Sequence, residues 1–261
     1  MVATTAPLTL RSLEYWAYQY KRTWRGSVIS TLLSPVLFLA AMGLGLGTLV
    51  NRSRAGGVGG VDYLAFLAPG LLAASAMQTG VAESTYPIMA SIKWIKTYHA
   101  MLATPLGVLD VMVGHLVWIA VRVFLSSTVY LGVMMLFGAT RSALALLALP
   151  AAVLTGMAFS TPVAAFAAGR DNDSGFAALF RFGVTPMFLF SGVFFPIGQL
   201  PPVLEQVAYL TPLWHGVDLC RDLSLGTATL GTTLLHVGYL GAWLVAGAAV
   251  AARAYRRRLY V

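Results

Sequence analysis

From residue 223 to residue 252 the chain runs thirty positions without an Asp, Glu, Lys or Arg, and Arg253, Arg256, Arg257 and Arg258 then crowd its end. Five more charge-poor stretches precede this one, at 28–50, 63–82, 111–137, 142–168 and 182–204. A helix needs about 20 apolar residues to cross a hydrocarbon layer roughly 30 Å thick, since each residue advances it about 1.5 Å. Six runs of that length predict an all-α, multi-pass membrane protein. A water-soluble fold is excluded, because 58% hydrophobic and 10% charged residues leave too little polar surface to face water.

At 261 residues the six spans and their connections use nearly the whole sequence, which predicts one membrane domain over 1–261 without a soluble catalytic unit. The net charge of +8 would suggest nucleic acid on a soluble face. Here it lies beside spans and sets orientation instead. With the N-terminus in the cytoplasm, Arg11, Lys21, Arg22, Arg25, Lys93, Lys96, Arg170, Arg181, Arg253, Arg256, Arg257 and Arg258 fall inside, against Arg52, Arg54, Arg141 and Arg221 outside. Twelve against four fits the positive-inside rule, and six spans return the C-terminus to the cytoplasm. The single cysteine, Cys220, excludes an intrachain disulfide. The N-terminus does not read as a cleavable signal, since polar and charged residues continue to Arg25 and the apolar run beyond is long enough to stay in the membrane.

Two segments outside the spans are amphipathic. Over 8–24, Leu10, Leu13, Trp16, Ala17 and Tyr20 recur at helical spacing opposite Arg11, Glu14, Lys21 and Arg22, which predicts an interfacial helix with Trp16, Tyr20 and Trp24 at the headgroup boundary. Between Pro87 and Pro105, Ile88, Ile92, Ile95 and Leu102 share one stripe, with Lys93 and Lys96 projecting elsewhere. That pattern fits a membrane-surface helix and a docking helix equally well. The glycine pairs Gly56–Gly57 and Gly59–Gly60 predict a loose first outer loop.

Ionisable groups inside spans are costly and call for partners. His115 and Arg122 stand seven positions apart, on one helical face, with Glu83 and Asp110 as candidate acceptors for Arg122. The polar turn at 169–175 carries Asp171 and Asp173 but lacks the remaining ligands of a calcium loop, so it reads as solvated. From Ser191 to Gly226, Pro196, Pro201, Pro202 and Pro212 interrupt any straight helix while Val203, Leu204, Val207 and Leu210 still want burial, which predicts short re-entrant helices held against protein.

No phosphate-cradling G-x-x-x-x-G-K-[ST] loop occurs, no His or Cys spacing supplies a metal site, and no G-x-S-x-G elbow is present. The chain is therefore expected to be no enzyme, with no catalytic residue, metal or cofactor of its own. An ion-driven carrier and a membrane scaffold stay open as alternatives.

Met101-Leu102-Ala103-Thr104-Pro105-Leu106-Gly107, followed by Asp110 and Gly114, resembles one signature of the ABC-2 type transporter permeases. A second appears in Phe190-Ser191-Gly192-Val193-Phe194-Phe195-Pro196-Ile197 with Leu200-Pro201 and Pro212-Leu213-Trp214-His215. The pattern is most similar to the branch of nodulation-factor and daunorubicin-type drug exporters. That resemblance implies a permease in the cytoplasmic membrane, paired with a second permease copy and two cytoplasmic ATPase subunits that hold the ATP and magnesium. It also implies spans near 28–50, 63–82, 111–137, 142–168, 177–195 and 230–252. The segment 88–102 becomes a coupling helix through Ile88, Ile92, Lys93, Trp94, Ile95, Lys96 and Leu102. The segment 195–225 becomes an outer gate with Phe195, Pro196, Leu200, Pro201, Pro212 and His215. The implied cargo is amphipathic: a drug, glycolipid, polyketide or lipid-linked saccharide. Met187, Phe188, Phe190, Phe194 and Phe195 line the expected route.

Overall fold

The computed structural model describes residues 8–53, 58 and 60–259. Arg54 and most of the expected loose glycine loop lie outside them. Among the described residues the structure is helical and connecting chain, with one isolated bridge between Val58 and Val61. Among the described residues five helical stretches are long and apolar enough to cross a membrane: Leu33–Arg52, Tyr63–Trp94, Val108–Leu136, Ala143–Ala168 and Leu230–Leu259. Ser174–Phe190 is apolar but shorter.

The first helix, α1 (Leu8–Ala40), runs without a break through Pro35 into a π-helical segment, Ala41–Leu46, and α2 (Gly47–Ser53). This differs from the expected interfacial element at 8–24, which is instead the front of α1. Within it Trp16 is buried to 7% exposure, Leu13 and Tyr20 are half-buried, and Leu10, Ala17 and Trp24 are exposed. After α3 (Tyr63–Glu83) come α4 (Tyr86–Met89), a π segment Ala90–Trp94, and α5 (Thr97–Leu102). The long α6 (Val108–Leu136) follows, then a 3₁₀ turn Ala143–Leu147 and α7 (Ala148–Ala168). The expected run at 182–204 is not one helix. It is divided among α8 (Ser174–Ala178), a π segment Leu179–Val184 and α9 (Thr185–Phe190), and Ser191, Gly192 and the prolines then stop it. A 3₁₀ turn (Ile197–Gln199), α10 (Pro202–Tyr209), α11 (Pro212–Leu225) and α12 (Leu230–Leu259) complete the chain.

The centre of the molecule is α7, packed against α3, α6, α11 and α12. Lipid tails are as apolar as leucine, so helix association in a bilayer depends on close approach rather than on escape from water. Small residues provide that approach here. A Cβ added at Gly80 of α3 would stand 2.5 Å from the Gly156 carbonyl oxygen of α7, and one at Gly156 would stand 2.8 Å from that of Ala76. Gly247 of α12 likewise sits against Thr161 and Pro162. Replacing Gly156 with leucine should lower stability by about 3 kcal/mol, the upper end of ordinary overpacking, because the Val123 Cγ1 at 2.7 Å and the Ala76 carbonyl oxygen at 2.8 Å both block the new atoms. Thermal unfolding in detergent checks this, with Gly238→Leu, where nothing lies within 4 Å, as the control expected to be near neutral.

Candidate functional site

The segment expected to couple, 88–102, is a knob on two buried anchors. Ile88, Met89 and Ile92 bury the first half, and Tyr98 and Met101 bury the second. Between them Lys93, Trp94, Ile95 and Lys96 are exposed, Trp94 by 57% and Ile95 by 68%. The expected single helix over 88–102 is thus broken. Lys96 adopts a left-handed φ of 59°, which ends the π segment and restarts the chain as α5. Ile95, the last residue before this turn, faces the open rather than sharing the buried side of Ile88 and Ile92, and Leu102 beyond it is half-buried.

Polar contacts hold the knob in place. The Lys93 Nζ donates to the Asp171 carbonyl oxygen at 2.6 Å, and the Arg258 Nη2 donates to the Asp171 carboxylate at 2.7 Å. Asp171 in the polar turn thereby links the knob to the end of α12, beside a cleft of about 600 Å³ that also exposes Lys96 and His99. The hydrogen bond and charge of Arg258, then the charge of Lys93, hold its carboxyl below the ordinary 3.8. A lowered folded-state value means that the contact is fully present above that range and is lost as pH falls through it. A spin label at Ser174 should therefore be immobile at neutral pH and loosen below the carboxylate range, and Asp171→Asn should loosen it already at pH 7.

Sequence reasoning missed the anchor beneath the knob. The Tyr98 hydroxyl hydrogen-bonds His115 Nδ1 and lies 3.3 Å from the Tyr255 hydroxyl, while the Trp16 and His115 rings stack at 3.9 Å. One buried cluster thus joins α1, α5, α6 and α12. The rings come from four distant points of the chain, so no local motif announces them.

Of the two acceptors weighed for Arg122, the structure uses Glu83. The Arg122 Nε donates to its Oε1 at 3.0 Å, and the guanidinium lies 4.5 Å from the Tyr20 ring centre. Asp110 instead accepts from the Gly107 amide at 3.0 Å and the Thr9 hydroxyl at 3.1 Å, capping α6. Glu83 is the last residue of α3, whose 21 residues span about 31 Å, and the Asp62–Arg141 ion pair marks the opposite end. Arg122 is the fifteenth of the 29 residues of α6, midway along it, and the Glu83 carboxylate offsets the cost of its charge there.

At the other end, Thr211 caps α11 by accepting from the Trp214 amide, Pro212 opens the helix, and Gly226 at φ 80° closes it. His215 is buried, its Nδ1 2.9 Å from that of His236 and its ring stacked 3.9 Å from Tyr239. His236 Nε2 lies 3.3 Å from Asp218. The chain of contacts closes with both rings neutral when His215 donates to His236 and His236 donates to Asp218. Pro212 is buried in the same helix, whereas Phe195, Pro196 and Leu200 are half-buried and Pro201 is exposed. Arg221, counted on the outer side in the sequence, donates to the Phe66 carbonyl at 3.1 Å and the Gly192 carbonyl at 2.7 Å. Phe194 packs edge-on against Phe188 at 5.1 Å. Among the described residues no group of His, Cys, Asp and Glu is placed to hold a metal.

The profile of the ABC-2 type transporter family fits residues 13–225, which include the knob and the segment around α10, and the chain belongs to that family. It is a non-catalytic transmembrane permease subunit. Over 264 residues it is 35% identical to Nodulation protein J of Rhizobium leguminosarum bv. viciae, covering 99% of this chain and 98% of that one. Nodulation protein J of Rhizobium meliloti is 32% identical over 92% of this chain and 89% of its own length. The Inner membrane transport permease YadH of Escherichia coli K12 is 22% identical over 81% of each.

Proposed function

We propose that this permease carries an amphipathic molecule out across the cytoplasmic membrane as one half of a dimer driven by two separate ATPase subunits. In this reading the chain is a single domain of six spans, with Ser174–Phe190 crossing as the fifth, both termini in the cytoplasm and 195–225 folded back into the outer leaflet. The observation that carries it is the knob: Trp94 and Ile95, large apolar side chains, stand in the open on buried anchors, at the end of the molecule where the terminal arginines gather. An exposed aromatic on a rigid, polar-rimmed base is the anatomy of a binding anchor. Membership of the ABC-2 family and the ATP-binding cassette it is named for supply the partner.

Binding of ATP and magnesium on the partner would draw the ATPase subunits together and push on the knob. Tyr98, locked to His115 and Tyr255, passes that displacement to α6 and α12 as rigid bodies. No bond in the cargo is made or broken. Purification from the native host in mild detergent tests the proposal. A stoichiometric partner with a phosphate-binding loop and vanadate-sensitive turnover is expected, and a chain that purifies alone would overturn it.

A further inference from the structure

The helix α10 is pinned at its C-terminal end. Ala208 is its buried residue, while Val203, Leu204 and Val207 stand in the open. Beyond Ala208 the Tyr239 hydroxyl of α12 donates to the Leu210 carbonyl at 2.6 Å, and the Tyr209 ring meets Trp214 edge-on at 4.6 Å. Tyr239 and Trp214 both rest on the His215–His236 pair. Tyr239 stacks on His215, and the Trp214 ring centre lies 5.4 Å from that of His236. The helices α10, α11 and α12 therefore meet at two imidazoles that are only 5% and 3% exposed.

The number of protons on the pair decides whether it holds. Nδ1 faces Nδ1 at 2.9 Å, a contact that takes one proton between the two nitrogens and has no place for a second. One proton added to the neutral pair is accommodated. His236 then becomes the imidazolium beside the Asp218 carboxylate and donates to His215 Nδ1, while His215 keeps its own proton on Nε2. A second added proton sets N–H against N–H and charge against charge. The other ionisable groups on the packed elements are engaged elsewhere. Glu205 of α10 accepts from Tyr209, Asp222 accepts from Thr227, and Arg221 is turned to two carbonyls. On α3 and α6, Glu83 pairs with Arg122, Asp110 with the Gly107 amide and His115 with Tyr98. Tyr63, Tyr130 and Cys220 stay neutral in acid, and neither α7 nor the turn Ala143–Leu147 carries an ionisable residue. Burial, and after it the charge of His236, holds His215 down to about 4 from the ordinary 6.5. A lowered folded-state value means that the contact is complete above the ordinary range and is lost as pH falls through about 4.

We infer that the His215–His236 pair is an acid-released latch that pins α10, part of the expected outer gate, to α12. Protonation of both rings drives the imidazoles apart, and Tyr239, stacked on His215, gives up the Leu210 carbonyl as they part. The inference rests on the permease reading only for the side of the membrane from which acid arrives. The movement is measured on the chain alone, so it is found or missed whatever partner the chain has.

The full chain carrying Val203→Cys and Leu235→Cys is spin-labelled at pH 7 in phosphatidylcholine nanodiscs. Both positions are exposed, by 73% and 58%, and the native Cys220 is buried and escapes the label. Pulsed electron resonance should give one distance at pH 7 and a second, longer one that reaches about half of the molecules near pH 4. His236→Gln keeps a donor beside Asp218 but does not titrate, so its distances should be the same at both pH values. Nitrogen-15 NMR of the histidine rings in the parent, which needs no variant, should show His215 gaining its proton as the longer distance appears. A single unchanged distance in the parent at pH 4, lengthening that persists in folded His236→Gln, or lengthening without a proton on His215 would each overturn the inference.

Discussion

Glutamate in place of both Trp94 and Ile95 should abolish capture of the ATPase while leaving the permease folded and in the membrane. Both side chains already face outward, 57% and 68% exposed, so the substitution removes nothing from the interior. At an interface an aromatic anchor is worth about 2 kcal/mol or more, a factor of roughly 30 in affinity, and two anchors replaced by charges exceed a hundredfold. The net-basic rim of Lys93 and Lys96 would hold the new carboxylates comfortably, which keeps the change local. Co-purification of the double variant at the level of the parent would refute the docking role. Alanine at Ile88 and Ile92 should act oppositely, lowering thermal stability by emptying the buried anchor, since both are nearly or fully buried.

Reversing one charge of the Arg122–Glu83 pair should destabilise the protein. Arg122→Glu would leave two carboxylates facing each other where the native side chains are only 18% and 22% exposed. Breaking an exposed pair costs up to about 1 kcal/mol and breaking a buried one about 3–5, so this half-covered pair should lose about 2 kcal/mol or more. Exchanging the two residues, Glu83→Arg with Arg122→Glu, should recover most of the loss but not all, because the contact of the guanidinium with Tyr20 is not rebuilt. Thermal unfolding of the two single variants and the exchange measures the coupling. An exchange no more stable than the worse single variant would show that the pair is not an energetic unit.

The spans were legible because hydrocarbon imposes a coarse pattern that few other environments produce. The runs at 63–82, 111–137 and 142–168 fall within a few residues of Tyr63–Glu83, Val108–Leu136 and Ala143–Ala168. What escaped was joined by backbone or by distance. Nothing at 8–24 separates a helix lying on a membrane from the front of a longer one, because Trp16 finds its cover in His115, about a hundred positions away. Lys96 in a left-handed conformation carries no compositional mark, since glycine would be the usual sign of such a turn. The prolines announced the breaks around α10, whereas Arg221 binds two carbonyl oxygens, and a carbonyl has no letter in a sequence. His215 was visible as a residue but not as half of a pair with His236 on the next helix.

The hydroxyl groups of α7 bear on how the chain is made. Thr155, Ser160 and Thr161 lie at the faces that meet α11, α3 and α12, yet each hydroxyl donates to a carbonyl four residues earlier in its own helix. The central helix thus enters the bilayer with these groups already satisfied. It can wait there, fourth in order of synthesis, until its last neighbours emerge from the ribosome. Only when α12 arrives does Thr161 gain a second contact, with the Leu244 carbonyl at 3.1 Å. Assembly is then a sequence of tightening approaches around a helix that tolerated lipid from the outset.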